Sequence, residues 1–175
     1  LLGMVTATSL TGKRVDGNGQ AEGDGVLSDE LRDLTPQQLA DFAADPHSQS
    51  VALLGEATTR IVYDLWRTFQ TPADEAPQPV FAATIAREMH LSDLPHGEES
   101  ALQTSISYSD GFGREIQHKL PAEPGDGEPP EALRWVGSGW TIFDNKGQPV
   151  RQYEPFFADT HAFQFAAVAG VSSDL

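Results

Sequence analysis

Glu88, His90, His96, Glu98 and Glu99 come closest, by type and spacing, to a set that could do chemistry. An imidazole among carboxylates can hold a divalent metal or carry a proton. Glu88 and His90 lie on one side of an expected strand, since side chains two apart share a face. His96, Glu98 and Glu99 follow in a loop. Read for chemistry, the cluster is the centre of a metal-dependent hydrolase around Glu88, His90 and His96. Read plainly, it is a polar strand end running into an exposed loop. The other histidines, His47, His118 and His161, are scattered. No two histidines stand at the i, i+4 spacing of a helical zinc site, and there is no cysteine to complete one.

Other candidate motifs fail on their own geometry. Asp16, Asn18 and Gln20 resemble the start of a calcium loop, but that loop needs glycine at its sixth position and glutamate at its twelfth. Ala21 and Leu27 stand there. Gly137-Ser138-Gly139 lacks the strand-to-helix turn of a nucleophile elbow, because the residues after Ser138 read as strand. The acid pairs Asp74/Glu75 and Glu98/Glu99 sit in expected loops, with no dry pocket to split their pKa values. No glycine-rich loop precedes a helix, so no phosphate cradle is indicated. The residues therefore assign no catalytic, metal or cofactor-binding role, and the expectation is a protein that is not an enzyme and carries no cofactor.

Trp66, Trp135, Trp140, Tyr63, Tyr108 and Tyr153 leave a choice open. They could line a carbohydrate or peptide groove, or pack as partners across strands. Burial separates the two, since binding aromatics lie in an open groove and packing aromatics lie between strands.

The composition narrows the partners. The chain has 175 residues, 39% of them hydrophobic, and a formal net charge of −15. Such an excess of acid disfavours nucleic acid and anionic membrane, which are polyanions. No apolar run reaches the roughly 20 residues that span a bilayer. The acids collect in the loops near 16–33, 93–99 and 123–131, as solvated faces do.

The elements are mainly strands. Residues 3–11 alternate as a strand, and 16–25 form a Gly/Asp loop. One short helix is expected near 36–44: Thr35 suits its N-cap, Pro36 its first position and Gln38 the capping box, with Pro46 as its stop. A helical turn at 48–54 is a further expectation. Strands are expected over 57–69, 80–89, 102–108, 114–120 and 134–143, the last interrupted by Gly137 and Gly139. Residues 121–131 form an acidic linker. The phenylalanines at 156, 157, 163 and 165 suggest a final strand packed on a neighbour. The expected organisation is 1–56 as partial repeat, acidic loop and helix, then 57–170 as an array of β-hairpins, together one structural domain.

Within that array one pattern occurs twice. Tyr108-Ser-Asp-Gly-Phe-Gly-Arg-Glu-Ile-Gln117 and Ile142-Phe-Asp-Asn-Lys-Gly-Gln-Pro-Val-Arg-Gln-Tyr153 each place an aromatic residue near an Asp and a Gly three residues after it. Asp110 and Asp144 can accept from backbone N–H groups ahead of them. Gly113 and Gly147 can take the positive φ that closes a hairpin. These four are structural turn residues, with Ile116 and Val150 expected on the buried faces of the strands that follow. Leu1-Leu2-Gly3-Met4-Val5-Thr6 look like the second half of a third copy, which suggests a piece of a larger protein. A repeated strand–turn–strand unit builds a scaffold by stacking.

The residues also carry a family resemblance. Ser105–Lys119, Pro121–Gly125 and Arg134–Phe157 resemble the middle region of the B component of bacterial insecticidal Tc toxin complexes. Val62–Trp66 and Ala83–Glu88 fit the same region, and the two turns resemble the YD repeats of Rhs-type proteins, with Phe143-Asp144 in place of Tyr-Asp. The resemblance covers about 60–170. It implies a mainly β, non-enzymatic segment of a secreted toxin complex, part of a hollow β-shell that encloses a cytotoxic effector. It implies the C and A components as partners, through the full-length chain, with no nucleic acid and no membrane contact by this segment. The self-cleaving aspartyl site and the effector belong to the C component of that family, and no residues here resemble them.

Overall fold

The computed structural model describes residues 3–14, 21–25, 33–72, 77–125, 127, 129, 132–165 and 172–174. Asp16, Asn18, Gln20, Leu27, Asp74, Glu75 and the acids at 126, 128 and 131 lie outside them.

The architecture is mainly antiparallel β. The strands are β1 (Ala7–Thr8), β2 (Thr11–Arg14), β3 (Ala21–Gly23), β4 (Thr59–Asp64), β5 (Val80–Arg87), β6 (Leu102–Ser109), β7 (Glu115–Ala122), β8 (Arg134–Gly137), β9 (Thr141–Phe143), β10 (Pro149–Tyr153), β11 (Phe156–Ala158) and β12 (Ser172–Asp174). The main sheet has the order β1-β4-β5-β6-β7-β8-β11, beside a three-stranded sheet β12-β10-β9 and a β2-β3 pair. Backbone contacts divide the chain into two compact units, Leu1–Val62 with Ala83–Thr104, and Tyr63–Ala82 with Ser105–Leu175.

In the first unit, α1 (Pro36–Ala44) starts at the expected cap. Thr35 Oγ1 accepts from Gln38 N at 3.2 Å, and Gln38 Oε1 accepts from Thr35 N at 2.9 Å. Phe42 is the residue this helix buries. α1 ends at Ala44, ahead of Pro46 as expected, and the helical turn expected at 48–54 is a full helix, α2 (Pro46–Leu54), that Pro46 itself opens. A proline is suited to the first position of a helix, where its missing N–H would have no partner. Asp45 serves both helices, as C-cap of α1 and as N-cap of α2, where Oδ1 accepts from Ser48 N at 3.1 Å. The core of this unit joins Phe42, Leu53, Leu54 and Ala57 with Val62, Ala83 and Ile85 of β4 and β5. Part of the expected loop at 16–25 is also strand, since Ala21–Gly23 pairs antiparallel with β2.

The second unit departs from expectation in two places. The strand expected over 57–69 ends at Asp64, and α3 (Arg67–Gln70) follows. The strand expected over 134–143 is two strands in two sheets, β8 and β9. Gly139 makes the break: its φ is +82°, and the Tyr153 carbonyl occupies the space a Cβ would need. The core here is Phe81, Ile106, Tyr108, Trp135, Phe156 and Phe163. Val150 is exposed and Ile116 half-buried, so β10 presents no buried face at Val150.

Asp45→Ala should remove the shared cap and cost about 1 kcal/mol at neutral pH. The N–H groups of the first turn of α2, that of Ser48 above all, hold the Asp45 carboxyl below its ordinary value. Its contribution is therefore present above the ordinary carboxylate pKa and lost as pH falls through the lowered folded value. Urea midpoints should differ between wild type and variant at pH 7 and converge in acid. Equal midpoints at pH 7 would rule out the capping role.

Candidate functional site

The two sequence copies fold into turns with the same bonds. Asp110 N donates to Arg114 O (3.0 Å), as Asp144 N does to Gln148 O (2.9 Å). Gly113 N donates to Asp110 O (3.0 Å), as Gly147 N does to Asp144 O (3.1 Å). Asp110 Oδ1 accepts from Phe112 N and Arg114 N at 2.9 and 3.1 Å. Asp144 Oδ1 accepts from Lys146 N and Gln148 N at 2.8 and 2.9 Å. Gly113 has φ +77° and Gly147 φ +81°.

Arg114 ties one turn to the other. Its Nε donates to Asp110 Oδ2 at 2.7 Å and its Nη2 lies 2.6 Å from the same oxygen. Its guanidinium carbon sits 4.5 Å from the ring centroid of Phe143 and 5.2 Å from that of Phe112. Burial pushes the Asp110 carboxyl up, but the Arg114 side chain and the Arg114 and Phe112 N–H groups outweigh it and hold the group low.

The candidate metal cluster is not assembled. Glu88 Oε1 accepts from Gln103 Nε2 at 3.2 Å, while His96, Glu98 and Glu99 are exposed. Among the described residues no three His, Cys, Asp or Glu side chains gather where they could hold a metal. His90 instead turns Nδ1 to Asp24 Oδ2 at 2.8 Å. Asp24 is the residue that sequence reasoning missed. Its buried carboxylate also accepts from Thr58 Oγ1 and from Leu91 N (2.9 Å), and Arg87 Nε stands 3.4 Å away. Burial raises its pKa, yet the bonds from Thr58, His90 and Leu91 and the Arg87 charge together bring it below the ordinary value. A signal was present in Gly23-Asp24-Gly25: Gly23 has φ +91°, and the Leu10 carbonyl fills the place of its Cβ. The node ties together segments up to 67 residues apart.

Ser138 is engaged with the backbone. Its hydroxyl accepts from His118 N at 2.9 Å and donates to Gly139 O at 3.2 Å. Most of the singled-out aromatics are packed. Tyr108 and Trp135 are buried, and the Tyr108 hydroxyl donates to His161 O at 2.9 Å. Trp140 lies among Tyr153, Phe163 and Phe165, with centroid distances of 6.0–6.5 Å. Trp66 differs: it is 66% exposed, beside exposed Phe69.

No family model matches the chain, and no curated protein matches its sequence. Solved structures do. A crystal structure of TcdB2-TccC3 aligns with TM-score 0.57 and 22% identity, over 90% of this chain and 7% of that one. TcdB2-TccC3 without its hypervariable C-terminal region aligns with TM-score 0.58 and 17% identity, over 94% and 10%. TcdB2-TccC3-Cdc42 gives 0.57 and 19%, over 90% and 10%. The chain has the fold of a segment of TcdB2-TccC3. At these identities the likeness is one of fold, and the chain spans 7–10% of the length of the chains it matches. That fold is Tc toxin B/C-component-like, in agreement with the resemblance carried by residues 60–170.

Lys119, fully buried, donates to Gln164 Oε1 (2.7 Å) and Thr160 O (3.3 Å), and its Nζ lies 4.5 Å from the ring centroid of Phe156. Burial lowers its pKa from 10.5 to about 8.

Two predictions follow from these sites. A β-branched side chain at the positive φ of Gly113 or Gly147 is strained by roughly 1–2 kcal/mol. Gly113→Val and Gly147→Val should therefore lower the melting temperature, the second further because its Cβ meets Arg114 Nη1 at 3.1 Å. Ser109→Ala in the same region should melt like wild type, and the turn account is wrong if both glycine variants do too. For Lys119, the unfolded chain binds the extra proton between pH 8 and 10.5, so stability should rise across that window, by about 3 kcal/mol at most. Burial raises the Tyr108 pKa, which opposes the rise once unfolded tyrosine ionises. Lys119→Met should flatten the rise in denaturation midpoint between pH 8 and 10, and an unchanged slope would show that Lys119 titrates as if exposed.

Proposed function

We propose that this chain is a non-enzymatic wall segment of a toxin-complex B subunit, part of a secreted β-shell that encloses a cytotoxic effector together with the C component. The observation that carries this reading is the fold likeness to TcdB2-TccC3 over 90–94% of this chain but only 7–10% of its neighbours, the proportion expected of one piece of a much larger wall. The two bond-for-bond equivalent turns, interlocked through Arg114, support it, since stacked hairpins of this kind build walls and not pockets. On this reading the partners are the other subunits, reached through the full-length chain, and the turns are YD/Rhs-type repeats.

One observation favours a rival, a carbohydrate- or peptide-binding β module: the exposed Trp66 and Phe69 pair. The parent polypeptide should be produced with its cognate C component and imaged by electron microscopy. The expected result is a stable complex with a hollow β-shell and this segment within its wall. A parent chain that purifies alone without a shell would overturn the proposal, as would stoichiometric zinc lost on His90→Ala. Glycan binding lost on Trp66→Ala would favour the rival.

A further inference from the structure

The first unit carries an apolar groove whose uncompensated charges are all negative. Val51 and Leu54 of α2 line it together with Leu91, Leu94 and Leu102. Val51 and Leu91 are exposed, so the floor is wetted apolar surface. Glu98 and Glu99 stand at the rim, exposed, and neither carboxylate makes an ion pair among the described residues. Arg87 also lines the groove but is already engaged. Its Nη2 donates to Gly55 O at 2.6 Å and its Nε to Ala57 O at 2.7 Å, and its charge faces Asp24. The last turn of α2 carries no basic residue of its own, and Arg87 meets its C-cap carbonyl from outside the helix.

We propose that this groove docks a basic, leucine-bearing peptide segment of a partner polypeptide. A leucine-type side chain fills the floor between α2 and Leu94. A lysine or arginine lays its methylenes along the leucines and sets its charged head between Glu98 and Glu99. The acidic rim rejects nucleic acid and anionic lipid, and the net charge of −15 opposes a second copy of this chain. The inference stands independently of the shell reading, because it concerns the groove alone.

The test titrates the 175-residue chain with an amidated peptide of alternating leucine and lysine, followed by amide chemical shifts. Shifts should concentrate at residues 51–55 and 91–102. Affinity should fall at least tenfold when the peptide's lysines become glutamate or its leucines serine. Glu98→Gln with Glu99→Gln should weaken binding several-fold, and Leu94→Ser should do the same while the rest of the spectrum stays folded. Glu154→Gln with Asp159→Asn, outside the groove, should change nothing. If that control pair weakens binding as much as the groove pair, the attraction is the diffuse charge of the chain and the proposal falls. It also falls if the glutamate peptide binds equally well, or if Leu94→Ser abolishes a concentration-dependent self-association.

Discussion

The second unit depends on the division of labour within one carboxylate. Asp110 Oδ1 closes its own turn by accepting from two backbone N–H groups, while Oδ2 holds the Arg114 guanidinium. The same side chain thus sets the backbone and aims the cation. Held this way, the guanidinium lies over Phe143, which opens the next turn. A cation over an aromatic face contributes about 0.5–1 kcal/mol at exposed sites. The larger effect is geometric: the β6–β7 turn is fixed against the β9–β10 turn without a buried core between them. Gly147 leaves room for it, because Arg114 Nη1 sits where a Cβ would crowd.

The turn is repeated but the interlock is not. Gln148 stands at the position of Arg114, and Lys146 at that of Phe112. The backbone bonds do not notice, since they need only the Asp carboxylate, the Gly and two N–H groups. The stacking needs the side chains themselves. Two layers of information are therefore written over the same ten residues, a turn code in Asp and Gly and a contact code in Arg and Phe.

Local chemistry was legible in the sequence and long-range chemistry was not. The Thr35 cap, the Asp and Gly turns and the alternating strands each rest on residues within four positions of one another. Pro46 plays both parts that proline can play, stopping α1 and opening α2, and only the stop was legible, because the double duty of Asp45 as C-cap and N-cap decides the start. Thr68 and Phe69 favour strand, yet the chain has already turned at Asp64, whose buried carboxylate pairs with Arg67. The interruption at Gly137 and Gly139 was legible, but not that it divides the segment between two sheets, because the Tyr153 carbonyl that presses on Gly139 lies 14 residues on. The Asp24–His90 pair spans 66 residues, and no spacing rule reaches so far.

Asp24 and Lys119 show two answers to the same problem of a buried charge. Asp24 is met by a cation and three further donors, so its ionised form is favoured despite burial. Among the described residues Lys119 is met by neutral acceptors and a ring face, and its charged form is disfavoured. Among the described residues no carboxylate pairs with Lys119, although the chain has 26 acidic residues. The lysine's partners are instead what define its place: Gln164 Oε1 takes the ammonium, while Gln164 N donates to Gln117 Oε1 two residues along β7. Gln164 thus reads two neighbouring side chains on one face of the strand at once, one with its side-chain carbonyl and one with its backbone N–H. An aliphatic residue at 119 would pack, but it could not tell Gln164 from any other side chain, and residues 159–165 would lose the contact that sets their register on β7.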